Sequence, residues 1–124
     1  MRAIVLRMVI AASLAVSGVS HATLYAHGYR QIPMIGTAFL FQASVFFAVA
    51  VLVLVGGPDW LVWAAGALAA MALGAFALSR TIGIAGFVER GWEPAPHALL
   101  SVLAEVVTLL ACAAWWFSRR RVTA

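Results

Sequence analysis

Four long apolar runs, separated by short polar breaks, make up nearly the whole chain. A helix needs roughly 20 apolar residues to cross about 30 Å of hydrocarbon, and each run approaches or exceeds that length. The pattern predicts helices over residues 3–20, 32–55, 60–83 and 96–117. Pro33 suits a first helical turn, where its missing N–H does no harm. Gly56-Gly57-Pro58-Asp59 is a tight-turn sequence, too short to build anything of its own. Glu89-Arg90-Gly91-Trp92-Glu93-Pro94-Ala95-Pro96 reads as a loop, and Arg119-Arg120-Arg121 stops the last helix. Residues 81–88 are apolar but broken by Gly83 and Gly86, so they read as frayed helix or a short re-entrant segment, which would need cover from protein or water.

These runs imply an all-α fold: a single integral membrane domain over residues 1–124, built as a four-transmembrane-helix bundle. Composition agrees. The 124 residues are 65% hydrophobic and only 10% charged, against about 25% charged in soluble domains. Residues 1–22 also resemble a signal peptide, with a basic start and Ser20-His21-Ala22 as a small-x-small site. We read the segment as a retained first helix with Arg7 snorkelling to the interface.

Four spans place both ends of the chain on one side. Arg2, Arg7, Arg119, Arg120 and Arg121 lie there, against Arg30, Arg90 and Arg80 on the other, so an N-in/C-in topology in a bacterial cytoplasmic membrane is expected. Trp60, Trp63, Trp115 and Trp116 fall at the inner interface, and Tyr25, Tyr29 and Trp92 at the outer one. The net charge of +4 comes from eight arginines and no lysine. Because these sit at span ends, the bilayer is the expected partner and nucleic acid is not.

Glu105 is the most informative residue. It lies in the middle of the fourth span, where a carboxylate costs a few kcal/mol unless paired. Arg80 lies in the third run. Gln42 and Glu105 each stand nine residues below the proline that opens their helix, about 13 Å deep at 1.5 Å per residue. We therefore expect an intramembrane cluster of Arg80 with Glu105, Gln42 as third partner, and Thr37, Ser44 and Ser101 adding hydrogen bonds. Its simplest role is to lock helices three and four together, although desolvation offsets much of the attraction in such a pair. Gly66, Ala70 and Gly74 recur every four residues and mark a close helix-packing face.

The outer loops gather His21, His27, Tyr29, Arg30, Glu93 and His97 as candidate ligand or partner residues. Imidazoles suit zinc, copper or haem, but His21, His27 and His97 match no metal-ligand spacing, and no cofactor is expected. Haem, copper or a quinone headgroup are the alternatives. The single Cys112 excludes a disulfide or CxxC pair within the chain and reads as a small apolar filler. Ser13, Ser17 and Ser20 have no neighbouring base, and no nucleotide loop, nucleophile elbow or HExxH helix is present. Catalysis by this chain alone is not expected.

Leu78-Ser79-Arg80-Thr81-Ile82-Gly83, Trp92-Glu93-Pro94 and Leu100-Ser101-Val102-Leu103-Ala104-Glu105 resemble segments of small uncharacterised four-helix membrane proteins of GC-rich actinobacteria. In those an Arg closes helix three, a Glu sits in helix four, and a His lies near the end of helix one, as in Ser20-His21-Ala22. Their Leu-Pro-Gly after the Arg turn is Ile84-Ala85-Gly86 here. The resemblance implies the four-helix topology and the Arg–Glu pair, and no activity. The small multidrug transporters are similar in helix number and length, but their essential glutamate lies in helix one, where this chain has no acid.

The expected function is thus a non-catalytic accessory subunit of a larger inner-membrane complex, docking on other membrane subunits or on itself; the alternatives are a proton- or ion-coupled small-molecule transporter using Glu105 and, second, a membrane redox protein using the outer histidines.

Overall fold

The computed structural model describes residues 1–123. It is all-helical: α1 (Arg2–Ala26), a single 3-10 turn (Tyr29–Gln31), α2 (Ile35–Leu54), α3 (Trp60–Ser79) and α4 (His97–Thr123). All four α-helices are long and apolar enough to cross a membrane. The two 20-residue helices span about 30 Å, the hydrocarbon thickness of a bilayer. Phe41, Val51, Leu54, Met71 and Leu110 point outward and are exposed. A helix that is apolar on every side needs lipid or protein around it.

The helices run up and down, joined by a short turn between α2 and α3 and by longer connections, residues 27–34 and 80–96, at the other end. α1 packs against both α2 and α4, α3 packs mainly on α4, and α2 and α4 do not meet. One end of the bundle carries both chain termini and the Gly56–Asp59 turn; the other carries residues 27–34 and 80–96. Ile10, Leu14, Phe46, Val49, Val53, Leu61, Val62, Ala65 and Trp115 fill the core of the terminal half.

Several boundaries differ from expectation for identifiable reasons. α1 continues to Ala26, because nothing between Ser20 and Ala26 breaks a helix; the break comes at Gly28, with φ 140°. α2 starts at Ile35, since Met34 takes φ 67°. α3 stops at Ser79, and residues 81–88 are neither helix nor an extended excursion. They form a compact turn closed by a bridge between Ile84 and Phe87 and tied to α3 by the Glu89 N–H on the Ser79 carbonyl, 2.8 Å. α4 runs through Arg119–Arg121 to Thr123, because arginine is a good helix former and cations are favourable at a helix C-terminus.

Two glycines are required by geometry. Gly56 ends α2 at φ 85°, and the N–H groups of Gly56 and Gly57 return to the Val53 and Leu52 carbonyls in a Schellman cap. Gly36 lies where the 3-10 turn presses on α2: a Cβ there would stand 2.6 Å from both Arg30 Cα and the Tyr29 carbonyl oxygen. Backbone cannot yield as a side-chain tip can. Gly36→Ala is expected to cost about 1–3 kcal/mol, read as a lowered thermal midpoint in detergent. An unchanged midpoint would mean that the turn is not held against α2.

The expected packing stripe is displaced. α3 buries Leu61, Val62, Ala65, Ala69 and Ala72, whereas Ala70 and Gly74 are exposed and Gly66 is half-buried. Ala65, Ala69 and Ala72 are equally small at helical spacing, and they lie one residue around the helix from the predicted face.

Candidate functional site

Beyond the apolar core, in the loop half of the bundle, lies a cavity of about 80 Å³. Its polar lining is His21 from α1, Gln42 from α2, Ser79 and Arg80 at the end of α3, Ser101 and Glu105 from α4, and Tyr29 and Glu89 from the two loops. Phe39, Phe76 and Phe87 supply aromatic walls. The volume is room for a few waters or one small solute.

Glu105 is the deepest charged residue, only 2% exposed. Its Oε1 accepts a 3.0 Å hydrogen bond from the Ser17 hydroxyl. Among the described residues no cationic side chain lies within ion-pairing distance of it; the two ion pairs present both involve Asp59. One turn deeper, Ser13 and Thr108 share a 2.6 Å hydrogen bond. Two polar stripes at helical spacing, Ser13-Ser17-His21 on α1 and Ser101-Glu105-Thr108 on α4, therefore face each other. The acid is held to α1, not to α3.

The expected Arg80–Glu105 pair does not form. Arg80 follows the last residue of α3 and turns toward the loop. Its Nε donates to the Gly91 carbonyl at 3.1 Å, one Nη to the Glu93 carbonyl and the other to Ser79 Oγ. Its guanidinium lies 4.1 Å over the Phe76 ring, on which Trp92 also stacks. A guanidinium at a helix end meets loop carbonyls before it can reach a carboxyl several turns deeper. Gln42 shares the cavity with Glu105 and Arg80, but its Nε2 is buried with no partner. Of the auxiliary groups, Ser101 is buried and lines the cavity, whereas Thr37 and Ser44 are exposed on α2, Ser44 bonding its own helix at Leu40.

His21 lies inside α1 and is buried, not on an outer loop. Its Nδ1 is 2.8 Å from the Ser17 carbonyl oxygen, so Nδ1 carries a proton and Nε2 is the position free to take one. Phe39 holds the ring at a centroid distance of 4.8 Å. His27 is exposed beyond α1, its Nδ1 on the Thr23 carbonyl. His97 opens α4 with a buried, unpartnered Nδ1. Only His21 of the three lines the cavity, and among the described residues no group of three or more His, Cys, Asp or Glu side chains could hold a metal. Arg30 and Glu93 are exposed, and the Glu93 carboxylate accepts the Ala95 N–H.

Tyr29 lines the cavity at its loop end. Its hydroxyl donates to Glu89, fastening the 3-10 turn to the loop after α3, and its ring packs on Phe39 and Phe87. Burial, and then the Glu89 carboxylate, push the Tyr29 phenol well above its usual value of 10.0. The folded state therefore holds this proton more tightly than the unfolded state. The resulting stability is complete below pH 10 and declines as pH rises beyond it. The alkaline arm of the melting profile should flatten in Tyr29→Phe, measured by thermal unfolding between neutral and strongly alkaline pH. Identical slopes in both proteins would disprove the link.

At the terminal end the short turn does build something. Arg7 donates to the Val53 carbonyl at 3.1 Å, the Gly57 carbonyl at 2.8 Å and Asp59 Oδ1 at 3.0 Å, and lies over Trp115. Asp59 also takes Arg119 at 2.6 Å. Cys112, half-buried, donates its thiol to the Val62 carbonyl. Comparison with protein-family models, curated proteins and solved structures gave no match to this chain.

Proposed function

We propose that the chain is a multi-pass protein of the bacterial cytoplasmic membrane, with both termini in the cytoplasm. Its chamber opens to the outer side and exchanges a proton for a small cationic solute at Glu105. One observation carries this: a carboxyl deep in a span is bonded to a hydroxyl and, among the described residues, has no cationic side chain within ion-pairing distance. Charge at that depth is costly unless neutralised, so either a proton or a cation must accompany the group. That alternation is the elementary step of proton-coupled exchange.

The surroundings fit the step. Ser17 orients the carboxyl and stands 3.5 Å from His21 Nδ1, so the hydroxyl touches both titratable side chains. The free Nε2 of His21 offers a second proton-accepting position on the same wall. Gln42 adds a neutral amide to the same cavity lining. Aromatic faces favour cations, and Glu89 at the mouth adds negative charge. The apolar core below closes the cavity toward the cytoplasm, as one end state of a carrier requires. No covalent chemistry is assigned to the chain.

The test is solute-driven proton movement in proteoliposomes carrying an internal pH dye, across a panel of small amines. A saturable, amine-dependent proton flux is expected. A dye signal no different from empty liposomes for every amine and inorganic cation would remove the proposal.

Accessory-subunit function remains a second reading, favoured by the Ala70–Gly74 face: an added Cβ at Gly74 would meet no atom within 4 Å. Another helix in a complex or homo-oligomer could lie there, and gentle extraction with mass measurement tests for it. For the redox reading, a haem would take His21 and His97 as its two imidazoles, and of these only His21 lines the cavity.

A further inference from the structure

A second opening lies near the terminal end, between α3 and α4, away from the chamber. It is a groove of about 600 Å³. Trp63, Gly66 and Ala70 line one side, Leu109, Cys112 and Trp116 the other. It exists because Gly66 has no side chain and Cys112 opposite is small; a Cβ on Gly66 would still stand 3.7 Å from Cys112. From Trp63 to Ala70 the groove follows α3 for about 10 Å. Trp63 and Trp116 meet edge to face at 5.6 Å at its terminal end.

A cationic rim follows. The Arg120 guanidinium lies 3.5 Å over the Trp116 ring, and Arg121 is exposed one residue on. Neither has an acidic partner among the described residues, whereas Arg119 and Arg7 are both committed to Asp59. At this end Arg2, Arg7, Arg119, Arg120 and Arg121 face a single acid. A narrow apolar slot running into unpaired cations is complementary to a molecule with a hydrocarbon tail and an anionic head. We propose that the groove holds one acyl chain of an anionic phospholipid, whose phosphate sits between Arg120 and Arg121.

This rests on the membrane reading but not on the Glu105 chamber. A second copy of the chain is the less suitable occupant: two-fold pairing of parallel copies across this face would bring both Arg120–Arg121 pairs together, and like charges at that separation repel.

Tryptophan quenching in mixed phosphatidylcholine–phosphatidylglycerol vesicles tests the proposal, with bromine on the acyl chains of one lipid or the other at equal mole fraction. Anionic lipid is attracted by about 1 kcal/mol per arginine near the surface, so about fivefold enrichment for each arginine that holds it is expected. Brominated phosphatidylglycerol should quench several times more strongly than brominated phosphatidylcholine. Arg120→Gln with Arg121→Gln should abolish the preference. Gly66→Leu, which fills the slot, should abolish it while leaving every arginine in place, which a diffuse charge effect would not do. Should that variant fail to fold, Ala113→Phe fills the slot from its exposed wall. Equal quenching by both lipids, a preference that survives filling of the groove, or a dimer whose groove is closed to both lipids would each overturn the assignment. Loss of proton flux with lipid preference intact would strike only the chamber.

Discussion

Glu105→Gln is expected to reduce amine-driven proton flux in proteoliposomes to that of empty liposomes, while leaving the thermal midpoint close to wild type. Glutamine has nearly the shape of glutamate, and its amide oxygen can still accept the Ser17 hydroxyl at 3.0 Å. The α1–α4 tie therefore survives and only the titratable proton is lost. Glu105→Leu separates the two roles further. It removes the acceptor, and Ser17 falls back on a carbonyl of its own helix, so the tie is lost along with the proton. Stability should then drop by about 1–3 kcal/mol, with flux equally absent. The infrared spectrum of the reconstituted protein gives an independent readout: a carboxyl C=O stretch that appears and disappears with external pH in wild type and is missing in both variants. Unchanged flux in Glu105→Gln would leave the carboxyl only a structural role.

Much of the architecture was legible in the sequence, because its signals are long. Four apolar runs give four span-length helices, and Gly56-Gly57-Pro58-Asp59 gives the tight turn; Trp63 and Trp116 meet because their helices are antiparallel neighbours. Glu105 was legible as buried for the same reason: position within a long apolar run sets depth. What faces it was not. Arg80 drew attention by charge, yet its contacts were decided by where α3 stops, a boundary set by the backbone turn around Gly83 and not by hydropathy. The residue that does bond Glu105 is Ser17. Hydroxyl side chains barely alter a hydropathy profile, but Ser13, Ser17 and His21 recur at four-residue spacing on α1, and Ser101, Glu105 and Thr108 recur on α4. In the structure the two stripes meet across the α1–α4 contact, Ser13 with Thr108 and Ser17 with Glu105. Small-residue spacing had less power: Ala65-Ala69-Ala72 and Gly66-Ala70-Gly74 satisfy the same rule, and only three-dimensional packing chooses between them.

Arg7→Met is expected to lower stability by about 3 kcal/mol. The Arg7 side chain is 13% exposed, while its partner Asp59 is 47% exposed. Two of its three hydrogen bonds end on the Val53 and Gly57 carbonyls, at the C-terminal end of α2. Helix ends leave carbonyls that need donors; with the guanidinium removed, the Gly57 carbonyl loses its side-chain donor and the Val53 carbonyl keeps only the Gly56 N–H of the cap. The fixed fork of arginine reaches both carbonyls and the carboxylate together, which an ammonium cannot do, so Arg7→Lys should recover less than half of the loss. Asp59→Asn makes the contrast. It weakens two partly exposed ion pairs but leaves Arg7 on both carbonyls, and exposed pairs contribute about 1 kcal/mol or less. The double variant should therefore be little worse than Arg7→Met alone. Thermal unfolding in one detergent gives all four values. If Arg7→Met and Asp59→Asn prove equally mild, the two carbonyls are not what makes Arg7 matter, and α1 is held at this end by Ile10 and Leu14 in the apolar core.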